Sequence, residues 1–143
     1  MFGVTNTKAG TAYSRRIETS KFRMSGKTGT AQVRRITAAE RERGVISNED
    51  LPWKQRDHAL FINYAPADNP TVAVAVVGEH GGGGSSIAAP IGRDFTLFAL
   101  SGTLPDLEHY PKKLQKEIQL EQKIIAPKLI DWTNPKVKER TKA

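Results

Sequence analysis

Residues 59–78 read ALFINYAPADNPTVAVAVVG, and this stretch decides the fold. Its first seven and last eight positions are rich in aromatic and β-branched residues, which is typical of strands. The five residues between them, PADNP at 66–70, form a dense turn signal. The sequence therefore predicts an antiparallel hairpin. Because residues 72–77 are apolar on both faces of the second strand, we expect that strand to be covered on both sides.

A helix is predicted after the hairpin, because residues 85–101 are flanked by start and stop signals. Ser85 or Ser86 is a candidate N-cap. Pro90 suits the first turn, and Gly102 suits the position just past the last turn. The apolar positions that share one helical face are Ala88, Ile91, Phe95 and Phe98. We expect this apolar stripe to pack across the hairpin.

Four consecutive glycines at 81–84 join the hairpin to this helix. Glycines before a helix N-terminus can cradle an anion with their backbone N–H groups. They also permit a tight connection between a strand and a helix. We favour the tight connection.

Composition limits the function classes. The 143 residues suit one domain, and hydrophobic residues make up 38 % of them. The longest strongly apolar run, residues 72–77, is far shorter than the roughly 20 residues of a membrane-spanning helix. The first ten residues also lack the apolar core of a secretory signal. The absence of cysteine excludes a disulfide framework and a cysteine nucleophile.

The net charge of +7 is compatible with an anionic partner, but on charge alone we favour a solvated basic surface around a neutral core. No zinc finger, helix-turn-helix or RNA-binding aromatic motif is present, so we predict no nucleic-acid partner. The histidines at 58, 80 and 109 lack metal-ligand spacing, so we predict no metal and no cofactor. His58 beside Asp57 is interpreted as a polar clamp at the strand entrance.

The residues that point to chemistry are SGKTGTAQV at 25–33. A Gly-Lys-Thr core occurs in phosphate-binding P-loops, but those need a glycine five positions before the first glycine and a helix afterwards. Lys21 occupies that position here, and residues 30–36 have the composition of a strand. The sequence therefore does not support nucleotide binding.

The same residues also form a Lys-Thr-Gly triplet, which serves acyl-transfer enzymes as a strand beside the active site. Lys27 provides a cation, and Thr28 and Thr30 provide hydroxyl donors, for a substrate carboxylate. Gly29 leaves room for a substrate backbone that pairs with the strand edge. The backbone N–H of Thr30 can also stabilise an oxyanion. We predict that residues 27–30 bind substrate.

The order of several segments carries a family resemblance. The segments are GTA at 10–12, SGKTGTAQV at 25–33, a long insertion at 34–57, RDHA at 56–59, FINYAP at 61–66, the valine-rich strand and GEHGGGG at 78–84. This order resembles the class B penicillin-binding proteins, which are peptidoglycan D,D-transpeptidases. Within that class it is similar to the C-terminal end of the transpeptidase domain of the penicillin-binding protein 2 subfamily. The resemblance covers residues 1–100.

The resemblance implies an α/β fold of the α+β type, with an antiparallel sheet and helices on both faces, as in serine β-lactamases. This chain is expected to hold an incomplete part of that fold. Residues 1–103 are then the C-terminal portion of the transpeptidase domain, and residues 34–57 are an insertion between strands. A capping box at 37–40 predicts a short helix there that ends before Gly44.

Residues 104–143 are expected to form a charged tail, partly helical or disordered. Its helix is predicted within 111–125, solvent-exposed, with an apolar face of Leu114, Ile118 and Ile125. Residues 132–143 are expected to be loosely ordered. Trp53 and Trp132 are interpreted as packing or interface residues.

By resemblance, the whole enzyme cross-links stem peptides through a serine acyl-enzyme and binds penicillin. None of the seven serines of this chain is followed by lysine three positions later, and no Ser-x-Asn occurs. We therefore expect a fragment that has no catalytic residue of its own and is inactive alone.

The implied ligands and partners are the peptidoglycan stem peptide, β-lactams, the remainder of the transpeptidase domain and proteins of the cell-elongation complex. The implied location is the periplasmic face of the inner membrane. The alternative hypothesis is a non-catalytic binding module, in which the basic tail and the 34–57 insertion bind a partner protein or an anionic polymer.

Overall fold

The computed structural model describes residues 1–129, and these residues build a three-stranded antiparallel sheet. Strand β1 spans Ser25–Ala31, β2 spans His58–Ala65 and β3 spans Val72–Gly78. The spatial order is β1-β2-β3, so β2 lies in the middle. The predicted hairpin is confirmed within one residue at each strand start.

In the described part of the chain four α-helices accompany the sheet: α1 at Phe2–Asn6, α2 at Ala38–Arg43, α3 at Ala89–Ser101 and α4 at Gln115–Ile125. Gly102 has a φ of 72°, the left-handed conformation that ends α3 as predicted. Helices together with an antiparallel sheet confirm the predicted α/β class. No helix among residues 1–129 has the length and apolarity needed to cross a membrane.

Strand β1 covers residues 25–31, so the Lys-Thr-Gly triplet lies on a strand as expected. The strand ends earlier than the strand-like composition of residues 30–36 indicated. The register explains the early end, because Ala31 already pairs with His58, the first residue of β2. Residues beyond 31 therefore have no partner in β2.

The face of α3 that packs on the sheet is not the predicted one. Phe95 is 63 % exposed, and Ile91 and Phe98 are exposed as well. The buried residues of α3 are Ala89, Gly92, Arg93, Thr96 and Leu97. At Gly92 the helix backbone lies close to the sheet, because a Cβ there would stand 2.6 Å from Cδ1 of Phe61. Of the predicted stripe only Ala88, just before α3, is buried, so apolarity alone predicted the wrong face of the helix.

The predicted N-cap of α3 is also wrong. A wide turn at Gly84–Ala88 precedes the helix, and neither serine caps it. The hydroxyl of Ser85 donates to the carbonyl of Thr11, and the hydroxyl of Ser86 donates to the carbonyl of Gly83. A contact between distant segments has taken the place of a local cap.

The expectation that β3 is covered on both sides is wrong for the described residues. Phe61 and Asn63 of β2 lie on the face that packs against α3, and both are buried. On the opposite face Ile62 is 51 % exposed and Val77 is 68 % exposed. The sheet therefore presents one open apolar face.

The insertion and the tail both contain helices. The hydroxyl of Thr37 accepts a hydrogen bond from the backbone N–H of Glu40 and caps α2, which ends before Gly44 as predicted. In α4, Ile118 is buried and joins the core, so this helix is less exposed than predicted. The boundary between residues 103 and 104 stays a prediction. The expectations for Trp132 and for residues 132–143 lie outside the described residues.

Candidate substrate-binding strand

The Lys-Thr-Gly triplet lies on β1, at an edge of the sheet. Lys27 is paired with Ile62, Thr28 with Phe61 and Gly29 with Leu60. Within residues 1–129 no strand pairs with the other edge of β1. An unpaired edge offers backbone N–H and C=O groups to an added strand.

Side chains of β1 alternate between the two faces of the sheet. Thr28 and Thr30 lie on the face that carries α3, whereas Lys27 lies on the open face. The sequence placed these three groups in one cluster, but the structure brings only the two threonines onto a common face. The flexible Lys27 side chain returns to the strand, where its Nζ donates to the carbonyl oxygen of Thr28 at 2.6 Å. The Lys27 ammonium is therefore hydrogen-bonded to the Thr28 peptide group.

The hydroxyl of Thr28 has a partner that the sequence analysis did not identify. Its Oγ1 lies 2.8 Å from Oγ1 of Thr11. The Thr11 carbonyl in turn accepts the hydrogen bond from Ser85. The one sequence signal for this contact is the GTA segment at 10–12, which belongs to the order of segments that the chain shares with the family.

Helix α1 fixes the start of β1. The hydroxyl of Thr5 and the side-chain amide of Asn6 both donate to the carbonyl of Met24, each at 2.9 Å. Thr5 is fully buried. These bonds set the position from which β1 enters the sheet.

The glycine-rich segment packs directly against β1. A Cβ on Gly84 would stand 2.3 Å from the carbonyl oxygen of Gly29. The backbone N–H of Gly82 donates to the carbonyl of Asp57, and that of Gly81 donates to the carbonyl of Gly78. Because these donors already have internal partners, the structure supports the tight connection over an anion cradle.

Two histidines, His58 at the start of β2 and His80 just before the glycine-rich segment, are hydrogen-bonded to each other. Nδ1 of His58 accepts a hydrogen bond from the backbone N–H of His80 at 2.9 Å. The expected clamp between His58 and Asp57 does not form, because Asp57 is bonded to Asn48 through both its backbone N–H and its carboxylate. The ring of Trp53, itself 56 % exposed, stacks edge-on against His80. Within residues 1–129 no cluster of three metal-ligating side chains occurs.

Known proteins similar to this chain cover most of its length. Residues 1–97 match the family model of the penicillin binding protein transpeptidase domain. The chain is similar to the peptidoglycan D,D-transpeptidase MrdA of Haemophilus influenzae, with 38 % identity over 122 residues, covering 85 % of this chain and 18 % of the relative. It is also similar to MrdA of Acinetobacter baumannii, with 41 % identity over 80 residues, covering 54 % of this chain and 11 % of the relative.

Among solved structures, the chain is similar to the penicillin-binding protein PBP2 in its complex with MreC from Helicobacter pylori. The TM-score is 0.51 at 31 % identity, and the match covers 72 % of this chain and 16 % of that one. The chain thus spans less than a fifth of the length of the relatives described here.

Proposed function

The chain belongs to the penicillin-binding protein transpeptidase family, and from that premise we propose that it supplies the strand that holds the substrate carboxylate in a peptidoglycan D,D-transpeptidase. One observation carries the proposal. The Lys-Thr-Gly-Thr residues, 27–30, lie on a sheet edge that no other strand of residues 1–129 pairs with, and the Lys27 ammonium is bonded to the Thr28 carbonyl. An anion at this edge would meet the Lys27 ammonium, which reaches the strand backbone from the open face, and the two threonine hydroxyls from the other face.

The proposed reaction needs a complete enzyme, meaning this chain together with the part of the transpeptidase domain that carries the nucleophile. In that enzyme a serine attacks the carbonyl of the penultimate D-alanine of a stem peptide, and the terminal D-alanine leaves. The amine of a neighbouring stem peptide then takes the acyl group from the serine, which closes the cross-link. β-Lactams acylate the same serine. We propose that this chain alone is inactive, because none of its serines stands in the Ser-x-x-Lys motif.

Each residue of the strand has a proposed role. Lys27 and Thr30 are exposed and Thr28 is half-buried, so all three can reach a ligand at the edge. Lys27 neutralises the carboxylate, while the hydroxyls of Thr28 and Thr30 donate to it. Gly29 keeps the edge clear for the peptide backbone, which pairs with β1 as an added strand.

The proposed setting follows from the relatives. Their name, peptidoglycan D,D-transpeptidase, supports stem peptides as ligands, and the penicillin binding protein family supports β-lactams. We propose the periplasmic face of the inner membrane as the location. The Helicobacter pylori relative was solved with MreC, which supports proteins of the elongation complex as partners. The proposal includes no cofactor, no metal and no nucleic acid.

A non-catalytic binding module is the second candidate, and one observation favours it. Val45, Ile46 and Trp53 in the insertion are each at least half exposed, as residues of a protein-binding surface are. The two candidates differ in whether the Lys-Thr-Gly strand affects acylation.

Acylation of the complete enzyme by a β-lactam tests the proposal. Lys27→Ala is expected to slow acylation by about 30- to 1000-fold, because it removes a partly desolvated charge-assisted contact. Thr28→Val is expected to cost less, since it removes one hydroxyl and leaves the charge. Lys8→Ala, which alters another exposed lysine, is the control and should leave the rate unchanged. An unchanged rate in a folded Lys27→Ala variant would show that this strand is not part of the active site.

A further inference from the structure

We propose that Thr11 is a positioning residue that directs the Thr28 hydroxyl toward the substrate carboxylate. This inference rests on the proposed function, because it concerns how one of the proposed carboxylate ligands is oriented. Thr11 would not touch the carboxylate itself. It would act through Thr28.

The contact has the geometry of a hydrogen bond between two hydroxyls. Oγ1 of Thr11 and Oγ1 of Thr28 are 2.8 Å apart, the usual distance for an O–H···O bond. The two residues are 17 positions apart in sequence, so the contact comes from the fold and not from local chain geometry.

The number of protons on each group sets the direction of this bond. A hydroxyl donates one hydrogen bond and accepts two, whereas an ionised carboxylate only accepts. When a carboxylate lies beside Thr28, the single Thr28 proton points to it, so Thr11 has to be the donor of the shared bond. Donation from Thr11 also polarises the Thr28 hydroxyl and strengthens its own donation.

The backbone of Thr11 is held rigidly enough for this role. Its carbonyl accepts from the hydroxyl of Ser85, and the next backbone N–H, that of Ala12, donates to the carbonyl of Val4 at 3.0 Å. A Cβ on the preceding Gly10 would stand 2.3 Å from the carbonyl oxygens of α1, so this segment lies tightly on that helix. The Thr11 hydroxyl is therefore in place before a ligand arrives, although its side chain is exposed.

The test compares a penicillin with its own methyl ester as acylating agents of the complete enzyme. The ester keeps the reactive ring but lacks the carboxylate charge. Thr11→Val is expected to slow acylation by the free acid roughly three- to tenfold, the range of one hydrogen bond. The same variant should leave acylation by the ester unchanged, and Thr11→Ser should restore the rate with the acid. Thr7→Val is the matched control, because Thr7 also bonds through its hydroxyl, to the carbonyl of Gly3, away from Thr28.

The possible outcomes separate this inference from the proposed function. Equal slowing of acid and ester by Thr11→Val would show a structural role and overturn the inference. A normal rate with the acid would overturn it too, provided that Thr28→Val slows that reaction. If Thr28→Val has no effect, both the inference and the proposed role of Thr28 fail. Should Thr11→Val not fold, Ser85→Ala loosens the same segment: selective slowing of the acid supports the inference, and normal rates with both agents overturn it.

Discussion

Gly84 and Gly29 lie in direct backbone contact across the boundary between the glycine-rich segment and β1. A side chain on Gly84 would meet the carbonyl oxygens of both Gly29 and Leu60, at 2.3 and 2.5 Å from its Cβ. Both neighbours belong to paired strands, so neither can move aside without disturbing the sheet. The contact couples the strand that we assign to the substrate with the turn that leads into α3.

Gly84→Ala should therefore destabilise the chain, by about 2–3 kcal/mol in the free energy of unfolding. Urea denaturation of the complete enzyme, the form used in the acylation tests, measures this change. Gly3→Ala is the control, because the nearest atom to its added Cβ would be 3.8 Å away, an ordinary contact, and alanine favours the helix. Equal stability of the Gly84→Ala variant and the unsubstituted chain would mean that the two backbones are not in contact.

The isolated chain should form no covalent adduct with a fluorescent penicillin. Acylation needs an activated nucleophile, and none of the seven serines here is followed by lysine three positions later. Gel electrophoresis under denaturing conditions, with a known penicillin-binding protein as the positive control, measures the label. A stoichiometric label that survives denaturation would contradict the proposal that this chain is inactive alone.

The open face of the sheet should make the isolated chain self-associate or only marginally stable. Ile62 and Val77 are at least half exposed on that face, and both outer strands have unpaired edges among the described residues. Val77→Lys should lower the association measured by analytical ultracentrifugation, because it adds a charge to an edge strand without disturbing the core. Thr71→Lys, just before the same strand, is a control for added charge alone. A sharp, cooperative unfolding transition of a monomer would contradict this prediction.

The insertion should lose an ion pair in acid. Arg34 donates to Glu40 at 2.9 Å, and this hydrogen bond lowers the pKa of the Glu40 carboxyl below its ordinary value of 4.5. A lowered pKa in the folded state stabilises that state at pH values above 4.5, and this contribution disappears as the pH falls through the lowered pKa. We therefore expect α2 to loosen only below pH 4.5.

An NMR titration of the Glu40 side-chain carboxyl carbon measures this effect. Arg34→Gln should move the pKa of Glu40 upward, toward its ordinary value. Arg41→Gln is the control, since Arg41 lies on the same helix but forms neither a hydrogen bond nor an ion pair with the Glu40 side chain, whose partner in the structure is Arg34. A Glu40 titration that is the same with and without Arg34 would exclude the pair.

The sequence predicts best where burial and propensity agree. Strands β2 and β3 are apolar, β-branched and separated by a proline-rich turn, and the structure has them within one residue of the prediction. Helix α2 is predictable as well, because Thr37 caps it by a purely local bond. Local patterns of this kind need no knowledge of distant residues.

The sequence fails where a distant contact decides the outcome. The hydroxyl of Ser85 donates to the carbonyl of Thr11 instead of capping α3, and no local sequence signal indicates this contact. The face of α3 that packs on the sheet is the one that carries Gly92, not the predicted one. Close approach to Phe61 favours a glycine there over large apolar residues. The role of residues 27–30 stays a prediction, although their strand position agrees with it. The hydrogen bond between the hydroxyls of Thr11 and Thr28 joins residues 17 positions apart, so only the folded structure reveals it.

The long connection between β1 and β2 can change in length with little loss of folding free energy. Its hydrogen bonds are largely internal, as with Arg34 and Glu40, Ser47 and Asp50, and Asn48 and Asp57. The entropy of loop closure grows only with the logarithm of length, so doubling such a connection costs about 0.6 kcal/mol. Insertions and deletions here would leave the pairing of Lys27 with Ile62 intact. Relatives can therefore diverge in this segment while the strand that we propose to face the substrate keeps its register.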